Sequence, residues 1–311
     1  MSAIRSFSSL LVPLAALLAA APAPAQPRGD VFAPGEIVVV RGLSDGAPAL
    51  GATTITRQDL WTFDRLNLEQ AANLAPGVNS QFDSNGRRNE SDIFVRGFGR
   101  WQVPLLIDGV RIYLPADNRL DFTRFLTADV SEIQIRKGHA SVIDGPGAVG
   151  GLINLVSRKP TEGFETEARI GLNFGNDIHT QGWNSYGMVG TRQETFYAMA
   201  SISHVSRDPW NLSSDYRPTA ASMQQGGTRL NSGSEDLRVN LKFGLTPNQT
   251  DEYAINYTAQ MGEKGGLLNV YNNPQVPPNS FWRWPRWDVQ SLTLHTHTAI
   301  GGASYVKSKF Y

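Results

Sequence analysis

The chain contains no cysteine in 311 residues, so disulfides and thiolate metal sites are both excluded. It carries no net charge, because 28 basic residues balance 28 acidic ones, and that balance argues against a general nucleic-acid binder. No apolar run reaches the roughly 18 residues that a membrane helix needs. Charged residues are themselves few. Glycine and aromatic residues are plentiful instead, and the mean hydropathy is mildly polar, a mixture suited to many strands and turns.

The first residues stand apart. Arg5 precedes the apolar run Leu10 to Ala20, and Ala23 and Ala25 occupy the small-residue positions of a cleavage site. This is the pattern of a secretory signal peptide over 1–25, too short to serve as a spanning anchor helix. Residues 26–42 form a Pro- and Gly-bearing leader that ends in "EIVVVRG", Glu36 to Gly42. Those β-favouring residues form either an ordinary first strand or an extended segment held out for a partner to pair with.

From 43 to 160 helices and strands alternate. Thr56 and Asp59 make a capping pair ahead of Leu60, Trp61 and Phe63. Asn67 caps a second helix that stops at Pro76-Gly77. Strand-like runs follow at "DIFVRGFG", "VPLLIDGVRIY" and "SEIQIRKG", the middle one carrying the hairpin signal Asp108-Gly109. Together these predict one small α+β domain.

After Pro160 helical periods vanish. "FETEARIGLNF", "DLRVNLKFG" and "EYAINYTAQM" alternate apolar and polar residues, and "TFYAMASISHVS" does so more weakly. Alternating segments of about ten residues are the signature of a transmembrane β-barrel, although a soluble sandwich also alternates. The connections favour the barrel: short turns near Thr191 to Glu194, Pro247 to Thr250 and Gly301 to Ala303 interleave with long polar loops near Arg207 to Glu235 and Gly262 to Trp287.

"DGPGAVGGLINLVSRKP" places Gly145, Gly147 and Gly150 at the spacing of a dinucleotide-binding loop. Such a loop must open a helix, whereas "GLINLVSRKP" reads as a strand ending at a proline. The glycines are expected to permit close backbone packing instead.

These residues resemble the TonB-dependent outer-membrane receptor family. "LEQAANLAPGV", "DIFVRGFG", "VPLLIDGVRIY" and "VSEIQIRKGHASVIDGPGAVGGLINLVSRKP" are similar to that family's successive plug motifs, in order and at about their spacing. The resemblance implies an α+β plug domain followed by antiparallel transmembrane β-barrel strands. A plug-enclosing barrel has about 22 strands. Roughly six complete strands and the start of a seventh precede Tyr311, so 161–311 is expected to be the N-terminal, incomplete part of a longer barrel.

The resemblance also assigns roles. Glu36, Ile37, Val38, Val39 and Val40 fall where the family has its TonB box, the segment that contacts TonB and, through it, the inner-membrane energising complex. Arg96 falls on the arginine of the "RGF" motif. Lys137, before Gly138 and His139, stands where the family usually has a second arginine; in the family this pair locks the plug to barrel carboxylates. Lysine keeps the charge but loses the bidentate fork.

Loops around Asp83 to Ser91, Arg100 to Gln102 and Tyr113 to Asp121 are expected to face outward. Arg87, Arg88, Arg100, Trp101, Tyr113 and Arg119 could grip an anionic or aromatic metal chelate, or simply contact the barrel lumen. Trp282, Trp284 and Trp287 read as an interfacial girdle rather than a ligand cage. His295 and His297 share a strand face but lack a third ligand.

The resemblance calls for no cofactor, resident metal or catalytic residue, and no nucleic acid. It implies a transporter in the outer membrane of a Gram-negative bacterium, bathed in outer-membrane lipid, that takes up a scarce extracellular chelate, foremost a ferric siderophore. Cobalamin, copper or a glycan are alternatives within the family, and a signal-transducing receptor is one of another class. A secreted enzyme is disfavoured, since neither paired carboxylates in a cleft-like context nor a nucleophile elbow is present.

Overall fold

The computed structural model describes residues 51–82, 89–138, 146–175, 179–218, 224–266, 283–301 and 304–311. Residues 1–25, expected to be a signal peptide, the Glu36–Val40 segment, Arg87, Arg88, His139, Gly145 and Trp282 lie outside the described residues.

The first part is the expected α+β domain. Strand β1 (Ala52–Thr56) runs directly into α1 (Arg57–Thr62). Thr56 caps α1, accepting from the Asp59 N–H while the Asp59 carboxylate accepts from the Thr56 N–H, so the sequence-level pair closes as a capping box. Asn67 caps α2 (Leu68–Ala72) by accepting from Gln70 N–H. A two-stranded ribbon follows, β2 (Val78–Phe82) with β3 (Ser91–Val95).

The main sheet contains β4 (Leu105–Ile107), β5 (Val110–Ile112), β6 (Val130–Lys137) and β7 (Gly151–Ser157), in the order β1-β6-β7-β4-β5. Asp108 and Gly109 both take positive φ, 50° and 73°, as the primed turn joining β4 and β5 requires. Alternate residues of β6 and β7, namely Ile133, Ile135, Ile153 and Leu155, enter one core with Leu68, Ala71, Phe122 and Phe125 from the helical side.

The glycine-rich stretch opens β7, a strand, so no helix offers its N-terminus to a phosphate there. Its glycines serve packing: a Cβ on Gly150 would overlap the Phe98 side chain, and Gly151, at φ 132°, lies against the Arg136 carbonyl.

The second part is one antiparallel meander, β8 (Glu165–Phe174), β9 (Thr180–Arg192), β10 (Phe196–Arg207), β11 (Ser234–Leu245), β12 (Glu252–Gly265), β14 (Val289–Ala299) and β15 (Tyr305–Phe310), with the short β13 (Arg283–Trp284) also on β12. β9 shows no clean apolar–polar alternation in its sequence because Gly182, Gly187 and Gly190 interrupt it. Short turns at 193–195, 246–251 and 300–304 share one end of the arc, the periplasmic end by the barrel rule. The opposite end carries the long connections, although 175–179 there is short.

Sidedness decides between barrel and sandwich. On β11 the buried face is polar, comprising Asp236, Arg238, Asn240 and Lys242, and the apolar face, with Leu241 and Phe243, points outward. Asn240 is 1% exposed and its neighbour Leu241 45%. β12 repeats this with Asn256, Thr258 and Gln260 inside and Ile255 and Tyr257 outside. A soluble sandwich buries its apolar face; here the polar face is buried on the α+β domain and the oily face awaits lipid, which excludes the sandwich.

Candidate functional site: the plug and its barrel contacts

The residues that join the two parts form a ladder along β11 and β12. At the outer end Lys264 Nζ donates to Asp121 Oδ2 at 2.9 Å, and Asn89 Nδ2 donates to the Gly265 carbonyl at 3.1 Å. One step inward, Arg124 Nε donates to Asp236 Oδ1 at 2.8 Å. Next, Arg238 Nε and Asn240 Nδ2 both donate to Asp129 Oδ2, each at 2.9 Å. Towards the periplasmic end, Lys242 Nζ stands 3.8 Å from Asp108 Oδ2 and donates to Ser157 Oγ, and Lys159 Nζ donates to Glu252 Oε1 at 2.6 Å. A separate knot ties the inner end of β8: Arg57 Nη2 bonds both oxygens of Glu167 at 3.0 Å, and Arg158 Nη1 donates to the same carboxylate.

These groups are placed by period. In "DFTRFLTAD" (121–129), Phe122, Phe125 and Leu126 are buried on the apolar side while Asp121, Arg124 and Asp129 reach the barrel. Phe122 O and Phe125 O accept from Glu69 N–H and Leu68 N–H, so α2 braces this segment from behind. Asp108 is the buried hub of the periplasmic end. Burial alone would raise its pKa, but Lys242, the Ser157 hydroxyl and amide, and His295 outweigh it and hold the carboxyl below its ordinary value.

The expected lock residues are close together. Lys137 Nζ donates to Thr53 Oγ1 at 2.6 Å, within the plug. Burial and the Arg96 guanidinium both depress the Lys137 pKa. The ladder along β11 and β12, in contrast, went unrecognised in the sequence. Its signal, charged residues on the polar face of barrel strands, is indistinguishable there from a water-lined lumen.

The expected ligand residues fall at the outer ends of the plug strands. Arg100 pairs with Asp92 at 3.0 Å, and Arg119 lies 3.3 Å from Asp117 and 3.8 Å from Glu90. Trp101 and Tyr113 are exposed. Buried Asn118 links these loops, donating to the Arg100 carbonyl at 2.7 Å and accepting from Leu114 N–H. Arg111, read only as a strand residue in the sequence, joins them: it lies 5.9 Å from the Tyr113 ring centre and donates to the Pro146 carbonyl.

Trp287 is neither girdle nor cage. It turns into the lumen, edge-on to Phe125 at 5.4 Å, with the Arg124 guanidinium 5.2 Å from its ring centre. His295 bonds Thr293, and His297 packs edge-on to Tyr305. Among the described residues no group of three or more His, Cys, Asp or Glu could hold a metal.

A closed α+β domain braced against an arc of strands with inverted sidedness defines a plugged outer-membrane barrel. Residues 47–152 match the model of the TonB-dependent receptor plug domain. The ferric enterobactin receptor of Pseudomonas aeruginosa is 27% identical over 284 residues, covering 83% of this chain and 37% of that protein. The chain therefore spans well under half the length of this relative. Among solved structures, the siderophore receptor PirA from Acinetobacter baumannii superposes with a TM-score of 0.63 at 16% identity, over 84% of this chain and 39% of that one. The FrpB iron transporter from Neisseria meningitidis gives 0.64 at 13% identity, over 83% and 40%. At such identities these two show a shared fold. Residues 47–152 thus carry the plug domain of TonB-dependent receptors, and the chain as a whole is similar to a receptor of that kind.

Proposed function

We propose that the protein is an outer-membrane transporter of a Gram-negative bacterium that takes up a scarce chelate, foremost a ferric siderophore. The observation that carries this reading is the plug seated on strands whose polar face is inward and whose apolar face is outward. Similarity to a ferric enterobactin receptor supports the substrate class. A barrel filled by a plug passes nothing at rest, so transport needs work on the plug. The periplasm holds no ATP; TonB, driven from the inner membrane, pairs with Glu36, Ile37, Val38, Val39 and Val40 and supplies the work by β-augmentation. Ligand binding outside and TonB release inside are then two coupled sites.

The ligand rests on the outer plug loops. Arg87, Arg88, Arg100, Trp101, Tyr113 and Arg119 supply cations and aromatic faces for an anionic or aromatic chelate. Arg96 and Lys137 present adjacent positive charge to a barrel carboxylate. The domain limits we adopt are 1–25 for the signal peptide, 26–42 for the leader, 43–160 for the plug and 161–311 for barrel strands. No step in this cycle is catalytic.

The experiment is growth of a deletion strain on individual ferric chelates as sole iron source, with the full-length receptor restored on a plasmid. Growth on one siderophore, lost with Val38→Pro, is the expected result. Equal growth of the deletion strain on every chelate tested, siderophores included, removes the iron reading.

A further inference from the structure

We propose that Arg124 and Asp236 form a second lock that seats the plug on the barrel wall, separate from the one the family resemblance implies for Arg96 and Lys137. Both side chains are 1% exposed, and Nε and Nη2 of Arg124 each lie 2.8 Å from Asp236 Oδ1. The socket around them is shaped for this pair. Gly262 is the register partner of Asp236 on β12, and a Cβ there would meet Asp236 Oδ1 and the Glu235 carbonyl at 2.5 Å and overlap the guanidinium. Glycine is therefore what lets the ion pair lie flat against β12. Gln260 Nε2 donates to the Arg124 carbonyl, fixing the plug backbone as well as the side chain. Trp287 closes the outer side, its N–H bonded to the Gly262 carbonyl and its ring against Arg124 and Phe125.

The position matters as much as the chemistry. Asp121 and Asp129 of the same plug segment bond Lys264 and Arg238 on either side, so the pair is the middle rung of three. Its plug partner sits between Phe122 and Phe125, which are core residues. Any tilt of the plug away from β11 would strip a guanidinium and a carboxylate of each other where both side chains are buried, which resists slippage more than a rim ion pair can. The proposal is independent of which ligand is carried.

The test uses the full-length receptor in outer membranes. Asp236→Leu leaves Arg124 without its counter-charge, Arg124→Met leaves Asp236 with Arg207 as its remaining neighbouring cation, and the double variant replaces the pair with apolar groups of similar volume. With the barrel assembled, as judged by heat-modifiable migration, each single variant is expected to raise the rate of trypsin cleavage within the plug by about a hundredfold. Each should also admit a glycopeptide antibiotic too large for porins. The double variant is expected to recover protection and exclusion. Should Arg124→Met fail to assemble, Arg124→Lys, which keeps the charge and loses the fork, carries the test through an intermediate leak. Single variants as protected as the parent, or a double variant as open as the singles, would overturn the assignment. A parent receptor whose plug is protected but which takes up no ferric chelate would instead count against the transport reading alone.

Discussion

Asp108 and Ser157 close the periplasmic end of the plug: the turn carboxylate accepts from both the Ser157 N–H, at 2.8 Å, and the Ser157 hydroxyl. They lie 49 positions apart, and the same carboxylate faces Lys242 and accepts from Asn256 of the barrel. A hairpin turn thereby becomes a three-way junction between two plug strands and the wall.

Asp108→Asn should loosen this junction by about 2–4 kcal/mol, because it strips Lys242 of a buried counter-charge. The pH dependence follows from the depressed Asp108 pKa. A carboxyl held low when folded contributes stability that is fully present above the ordinary Asp value of about 3.9 and is lost as pH falls below it. The protection of the Ser157 amide from hydrogen exchange, relative to the intrinsic exchange rate at each pH, should fall below that value in the parent, and already be low at neutral pH in the variant.

Gly150→Ala should overpack the plug apex, since its new methyl falls on Phe98, at a cost of about 1–3 kcal/mol. Phe98 is half-exposed, so Phe98→Ala in the same chain should recover much of the loss. Gly151→Ala should have no such suppressor, because its obstacle is the Arg136 backbone and its φ is 132°. Thermal unfolding midpoints of the four variants decide this, and equal midpoints for both alanine replacements with and without Phe98 would contradict it.

Arg57→Lys should cost about 1–2 kcal/mol. Lysine cannot reproduce the fork that bonds both Glu167 oxygens and also reaches the Ala128 and Val130 carbonyls. Glu167 keeps Arg158, so no orphan carboxylate adds to the loss. A double-mutant cycle with Glu167→Gln should show coupling of about 1 kcal/mol, read from denaturant midpoints in detergent.

Leu241→Arg should reduce barrel assembly in phospholipid vesicles by about 2–4 kcal/mol, the expected cost of a charge on the lipid face near mid-depth. On a water-facing strand the same change at a half-exposed position would be near neutral. Folding yield measured by gel migration across urea concentrations separates the two.

Much of the architecture was legible in the residues. Capping at Thr56 and Asn67, the Asp108-Gly109 turn, the strand after Gly150 and the alternation of β8, β11 and β12 are local properties, set by backbone sterics and by spacing along the chain. Local pattern also separates the apolar from the polar side of each ribbon, because side chains alternate with a period of two.

The sequence could not say which side is buried, nor against what. Leu241 and Asn240 alternate identically in a sandwich and in a barrel; only the plug packed on the polar side settles the matter. The pairing of Arg124 with Asp236, 112 positions away, and the turning of Trp287 into the lumen depend on register between strands and on the seating of one domain in another. Such contacts join residues far apart in the chain, and no spacing within a single strand encodes them.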